Sequence, residues 1–291
     1  MLMKKRLLIY FTLSGLASVW LLRDNFSQLS NAISYDYIIG QHNAAPWGVL
    51  TLCILWIVLK RKEIATKMEL NNNPLFFAAG AVLMLTAFCV PNAINYLVIK
   101  LFLTWLGFFV MMFGRGAVIP GILFAAYAFT IVFPLLVNKF ADAPYAMGSV
   151  IPATWLANLV GIPVNNTGQI LSFPNPTGET ISVLVSSACA GPATMAVFIA
   201  IFTLMMLDVQ IERSRAVPLL LFGIAGTWLQ NIIRIVIIAA SGHLAGKDAL
   251  WDAHFWTIYV LFPLWYLAFV TVYFLVAGKH SRRAVGHPPS G

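Results

Sequence analysis

Residues 216–241, AVPLLLFGIAGTWLQNIIRIVIIAAS, form a 26-residue run with a single charge, Arg234. About 20 apolar residues suffice to cross the hydrocarbon core of a bilayer as a helix. Seven more predominantly apolar runs lie outward from it, at about 7–22, 45–59, 74–90, 95–113, 118–136, 189–207 and 254–277. Several are shorter than a perpendicular span requires, so their boundaries are loose by a few residues. The chain is 60% apolar and 10% charged, too few polar residues for a water-soluble surface. The expected fold is an all-α integral membrane protein of about eight transmembrane helices.

Charge placement orients it. With eight spans and the N-terminus inside, thirteen cations fall on the cytoplasmic side: Lys4, Lys5, Arg6, Lys60, Arg61, Lys62, Lys67, Arg115, Arg213, Arg215, Lys279, Arg282 and Arg283. Three fall outside, Arg23, Lys139 and Lys247, while Lys100 and Arg234 lie within spans. Such a bias predicts both termini in the cytoplasm. The first run, MLMKKRLLIYFTLSGLASVWLL, reads as an uncleaved span, because nothing like A-x-A follows before Arg23. The net charge of +8 is that of cytoplasmic loops; no soluble segment alternates basic and aromatic residues, which argues against nucleic acid as a partner.

A ninth apolar segment, 145–164, is broken by glycines and prolines, and spanning it would invert the C-terminal basic clusters. It is therefore expected at the outer interface, within a long outer loop from about 137 to 188. The second half of that loop has turn signals at 165–168 and 174–178 around β-prone runs at 169–173 and 180–185. It predicts a short β-hairpin leading into Cys189. Glycosylation-type tripeptides at Asn25-Phe26-Ser27 and Asn165-Asn166-Thr167 both fall outside in this topology. Residues 1–277 are read as a single polytopic domain, with 278–291 as a disordered cytoplasmic tail.

Three groups with chemical potential gather near one membrane face. Pro192 is tolerated only in the first turn of a helix, so the sixth span is expected to start at 190–192, with Cys189 at or near its N-cap. Unpaired N–H groups and the positive helix end favour a thiolate there. Arg234 lies about seven residues from the outer end of its span, roughly 10 Å deep. A charge at that depth costs at least ~2.5 kcal/mol unless it is paired or hydrated. Thr227, Asn231, Arg234 and Ser241 share one helical face, bordered by Gln230. His254 opens the last span, directly after the polar outer loop GHLAGKDALWDA. His243 is a second candidate, and Asp252 could orient His254. His243, Asp248, Asp252 and His254 match no metal-binding spacing. Cys53 and Cys89 read as packed residues, and Lys100 as snorkelling or lining a cavity.

A thiolate can attack a carbonyl, an arginine can hold the oxyanion, and a histidine can exchange protons with thiol and leaving amine. The A-C-x-G at Ala188–Gly191, the N-x-x-R at Asn231–Arg234 and the histidine opening the last span resemble the exosortase/archaeosortase family of multi-pass membrane transpeptidases. The resemblance covers about residues 150–277; the first five spans match only in being apolar. It implies a sortase-like site with Cys189 as nucleophile, Arg234 as stabiliser and His254 as acid/base, and no cofactor. It also implies exported protein substrates that end in a short motif, a transmembrane helix and a basic cluster. These would be cut at the outer face of a prokaryotic plasma membrane, the new C-terminus passing to a lipid or other acceptor. The chain departs from the family in having Ala190-Gly191 after the cysteine, where Ser-Gly or Thr-Gly is common, followed by Pro192 and Ala193.

Two other classes compete. A transporter or channel would use Arg234 and its polar stripe to hold an anion, but would give Cys189 no role. A non-enzymatic assembly or lipid-binding protein would tolerate replacement of all three residues.

Overall fold

A computed structural model describes residues 2–23, 44–67, 70–90 and 97–285. The first six helices are α1 (Leu2–Leu22), α2 (Ala44–Leu59), α3 (Arg61–Lys67), α4 (Pro74–Cys89), α5 (Leu97–Phe113) and, after a 3-10 turn (Gly114–Ala117), α6 (Val118–Phe140). Helix α7 (Asp142–Leu159) leads into strands β1 (Asn165–Thr167), β2 (Ile170–Pro174) and β3 (Thr180–Leu184), then α8 (Pro192–Asp208). The remainder is helical over Arg213–Val285, with non-helical backbone at Gly246. Its two limbs, 213–245 and 247–285, are α9 and α10.

Each of the eight apolar runs contains a helix. Among the described residues, the stretches Ile99–Phe140 and Arg213–Gly278 are long and apolar enough to cross a membrane. Large apolar side chains such as Leu16, Leu85 and Leu267 face outward, each about 60% or more exposed. Such a surface suits lipid rather than water. The described chain, expected from its sequence to be one domain over 1–277, falls into two compact units, Met1–Thr130 and Ile131–Gly291.

In the first unit, α4 starts where local chemistry favours it: the Asn73 side chain accepts the Leu75 N–H at 2.9 Å, and Pro74 sits in the first turn. Helices α4 and α5 meet at Gly80 and Gly107. A Cβ on either would lie within 2.6 Å of the other's carbonyl oxygen, so only glycine lets the backbones touch. Lys100 of α5 is buried.

In the second unit, α9 and α10 fold back on each other about Gly246, whose φ of +86° is left-handed. Contacts are spaced almost evenly on either side of that glycine. The Trp265 indole N–H donates to the Thr227 hydroxyl at 3.0 Å, Gly223 lies against Phe269, and Gly242 against Leu250. The pairing makes an antiparallel helical hairpin. At its far end Phe198 and Phe202 of α8 pack with Phe269 and Tyr273 of α10 in an aromatic core, and Phe198 meets Phe269 edge-on at 4.8 Å. Near Gly246 a second core joins Val150, Ala153 and Ala157 of α7 to Leu171 and Phe173 of β2 and to Ile235, Val236 and Ala239 of α9.

Gly226 faces the Trp265 ring so closely that a Cβ would sit 1.9 Å from Cζ2. Gly226→Ala should therefore displace Trp265 and cost about 1–3 kcal/mol. Thermal unfolding in detergent, followed by tryptophan fluorescence, should show a lowered Tm; an unchanged Tm would mean that the two limbs are not in contact here.

Three expectations need correction. The loop before Cys189 is a three-stranded antiparallel sheet in the order β1-β2-β3, not a two-stranded hairpin, so the fold carries a small sheet beside its helices. The two residues 168–169 join β1 to β2, with φ of +59° at Gly168. The stretch 242–253, read as a polar loop, is helical on both sides of Gly246. Its polar residues are exposed faces of two helix ends, so a single glycine makes the whole reversal. The last helix also continues to Val285, past the Gly278 at which a tail was expected, while 286–291 and the Asn25-Phe26-Ser27 tripeptide lie outside the described residues. Asn165–Thr167 forms β1, with all three residues exposed.

Candidate active site

Cys189 sits in a turn between β3 and α8. The Ser186 carbonyl accepts the N–H of Cys189 at 3.0 Å and of Ala190 at 3.1 Å, and the Ser187 carbonyl also accepts from Ala190. The N-cap of α8 is Gly191, with φ of +95°, and Pro192 is the first helical residue. Cys189 thus lies near the N-cap, two residues before it. Left-handed Gly191 completes the turn ahead of Pro192. A Cβ at Gly191 would meet the buried Asn231 side chain at 3.1 Å. Asn231 also reaches Ser149, whose hydroxyl donates to the Ala190 carbonyl at 3.3 Å.

The other side of this turn is tied to the start of α7. Asp142 accepts the Ser187 N–H at 2.9 Å and the Gln169 amide at 3.1 Å, while the Ser187 hydroxyl donates to Asn138 at 3.2 Å. Hydrogen bonds from the Ser187 side chain, the Ser187 backbone and Gln169 hold the Asp142 carboxyl below the usual carboxylate range. The Ser186 hydroxyl points at the Cys189 sulfur, 4.0 Å away. None of these supports was visible in the sequence, because Asp142 and Ser187 are 45 positions apart. The only local sign was an acid at a helix start, where the dipole favours it.

Arg234 is 4% exposed on α9, and Thr227 and Asn231 of its stripe are each 1% exposed; Ser241 is half-buried. Its guanidinium donates from Nε to the Thr257 hydroxyl at 3.3 Å and from Nη1 and Nη2 to the carbonyls of Cys189 at 3.5 Å and His254 at 3.3 Å. No carboxylate among the described residues neutralises it. A guanidinium has five N–H groups, so two remain beyond these three bonds.

Cys189, Arg234 and His254 line one cleft, together with Leu171, Phe173, Val183, Leu184 and Val185 of the sheet and Ile235, Ile238 and Ala239 of α9. The cleft holds about 40 Å³, enough for a few waters. The His254 ring lies edge-on to Trp251 at 5.7 Å. His243 is elsewhere: its Nδ1 is 2.6 Å from the Pro174 carbonyl at the tip of the sheet. The geometry brings together the cysteine, the arginine and the first-choice histidine, and assigns His243 to the hairpin.

Asp142→Asn should loosen the turn, because an amide offers one acceptor and sets N–H against N–H. Displacing the turn by even a fraction of an ångström should slow reactions of Cys189 about tenfold. The folded-state pKa is depressed, so the carboxylate's support is present above the ordinary carboxylate pKa and is lost as pH falls through the lower folded value. Because thiol protonation slows both proteins alike, the ratio of wild-type to Asp142→Asn alkylation rates at Cys189 should fall toward one as pH drops through that lower value. Identical profiles would remove Asp142 from the positioning of the turn.

No curated protein and no solved structure matches the chain significantly. A family model described as transmembrane exosortase matches residues 41–275, most of the chain and all of the site. Exosortases are membrane-embedded cysteine transpeptidases that act on exported proteins bearing C-terminal sorting signals. By that match this membrane protein, with Cys189, Arg234 and His254 around one cleft, belongs to the transmembrane exosortase family.

Proposed function

We propose that Cys189 is the nucleophile, Arg234 the electrostatic stabiliser and His254 the general acid/base of a sorting transpeptidase working at the outer membrane face. The observation that carries this reading is the guanidinium bridging the backbone of Cys189 and of His254 within one cleft. His254 takes the thiol proton, and the Cys189 sulfur attacks the scissile carbonyl. The C–S bond forms as the carbonyl π electrons move to oxygen, where the two remaining Arg234 N–H groups can receive the oxyanion. Collapse expels the amine, which takes the proton from His254, and leaves a thioester on Cys189. An acceptor nucleophile, in a lipid or other molecule, then displaces the thiolate; water in its place gives hydrolysis.

The thirteen-to-three distribution of cations supports cytoplasmic termini and an outer site. In that topology α7, containing Pro152 and ending at Leu159, rests at the outer interface. The substrates are exported proteins that end in a short motif, a transmembrane helix and a basic cluster, the cut falling near the motif. The transporter alternative leaves the Cys189 turn and its tether to Asp142 unexplained.

The test is mass spectrometry of membrane-protein C-termini from host cells carrying the wild-type chain or Cys189→Ala. Proteins with a C-terminal helix and basic cluster should keep that tail only in the variant. Identical termini from the two strains, with both proteins expressed, would sink the proposal.

A further inference from the structure

We infer that the free edge of β3 is the docking site for the substrate polypeptide, which binds as an extended fourth strand and is thereby delivered to Cys189. The inference rests on the reading of Cys189 as nucleophile, and adds how the peptide is recognised.

The register determines which groups are available. The Val185 N–H donates to the Gln169 carbonyl, and the Asn175 N–H to the Glu179 carbonyl, on the same diagonal that pairs Leu171 with Val183 and Phe173 with Ile181. In an antiparallel ladder, bonded and non-bonded pairs alternate. Residues 181, 183 and 185 therefore turn their N–H and C=O toward β2, while Thr180, Ser182 and Leu184 turn theirs outward. Among the described residues no strand lies beyond β3 in the sheet, and Thr180, Ser182 and Leu184 are all exposed. An unpaired ladder of this kind is satisfied by another extended backbone.

What identifies the occupant is where the edge leads. Strand β3 runs directly into the 186–190 turn that carries Cys189, and Val183, Leu184 and Val185 form a wall of the cleft. The cleft itself is far too small for a polypeptide. A peptide must therefore lie along its rim with only the scissile carbonyl turned inward, and on the sheet side that rim is β3. Backbone pairing would supply affinity independent of sequence. Specificity would come from alternate side chains, one set facing the apolar wall and the other facing away.

Ser182→Pro tests this with little damage to the sheet, because the N–H it removes points away from β2 and proline is tolerated on edge strands. Processing of the proteins found by the C-terminal comparison should slow about tenfold in a pulse-chase. Asn166→Pro, the matching change on the opposite β1 edge, should stay within about twofold of wild type. Alkylation of Cys189 by iodoacetamide should be unchanged in both. Wild-type processing by Ser182→Pro would overturn the proposal.

A second measurement guards against local misfolding. Synthetic peptides copied from across the cut site, each with one backbone N-methyl group, should lose turnover by the wild-type enzyme at every second position. Loss without that alternation, or no loss, overturns the edge-pairing model. A wild-type dimer that Ser182→Pro dissociates, together with a flat N-methyl scan, would assign the edge to a second copy of the chain. Processing that survives Cys189→Ala would instead remove the underlying enzyme reading.

Discussion

Cys189→Ser should process no faster than Cys189→Ala, both falling on the order of 10⁴-fold or more below wild type. Among the described side chains lining the cleft, only Cys189 carries a thiol. A serine hydroxyl keeps the shape of the turn but not the acidity of a thiol. The half-buried side chain packs at the margin of the α7–sheet–α9 core, and the turn is held by backbone bonds to Ser186 and Ser187. Neither substitution should therefore disturb expression or the elution of the detergent-solubilised protein. Equal protein with no processing, read by C-terminal mass spectrometry and size exclusion together, separates lost chemistry from lost fold. Substantial processing by Cys189→Ser would mean that the cysteine only packs.

Arg234→Ala should reduce processing by about 10²–10³-fold, the usual consequence of removing a donor that stabilises an oxyanion. It should also destabilise the helical hairpin, since the Thr257 hydroxyl and the carbonyls of Cys189 and His254 each lose a donor. A buried group left unsatisfied costs about 1–3 kcal/mol. Arg234→Lys is the discriminating variant. It retains the charge, but a point-like ammonium on a flexible stem cannot hold acceptors on α9's partner limb and on the Cys189 turn at once. Its processing should stay within about tenfold of Arg234→Ala, whereas its Tm should recover part of the loss. Wild-type rates with lysine would reduce the role of Arg234 to its charge.

Much of this site could be read in the chain because its members announce themselves chemically. An arginine in an apolar run must have a purpose, and Thr227 and Asn231 at helical spacing indicated which way it faced. Cys189 stood out only through its neighbours: Pro192 located the start of α8 to within two residues, and Gly191 explains the remaining offset. The supports of the site were not legible, since Asp142, Gln169 and Ser149 act through contacts that no local pattern encodes. The reversal at Gly246 was missed for a different reason. The flanking residues are polar, which is equally true of a loop and of two exposed helix ends, and hydropathy does not separate them. Strand β1 escaped because three exposed polar residues, Asn165–Thr167, carry no alternation and owe their conformation to pairing with β2.

The reversal at Gly246 also makes chain length a functional variable. Leu250 is anchored against Gly242, and Arg234 is anchored to Thr257 and His254 across the same hairpin. One residue inserted between Leu250 and His254 would advance everything after it by about 100° around the helix axis. Every side chain would survive, yet the histidine would leave the cleft and Thr257 would swing off the guanidinium. The spacing between these anchors therefore holds Arg234, Thr257 and His254 in register as much as the residues themselves do.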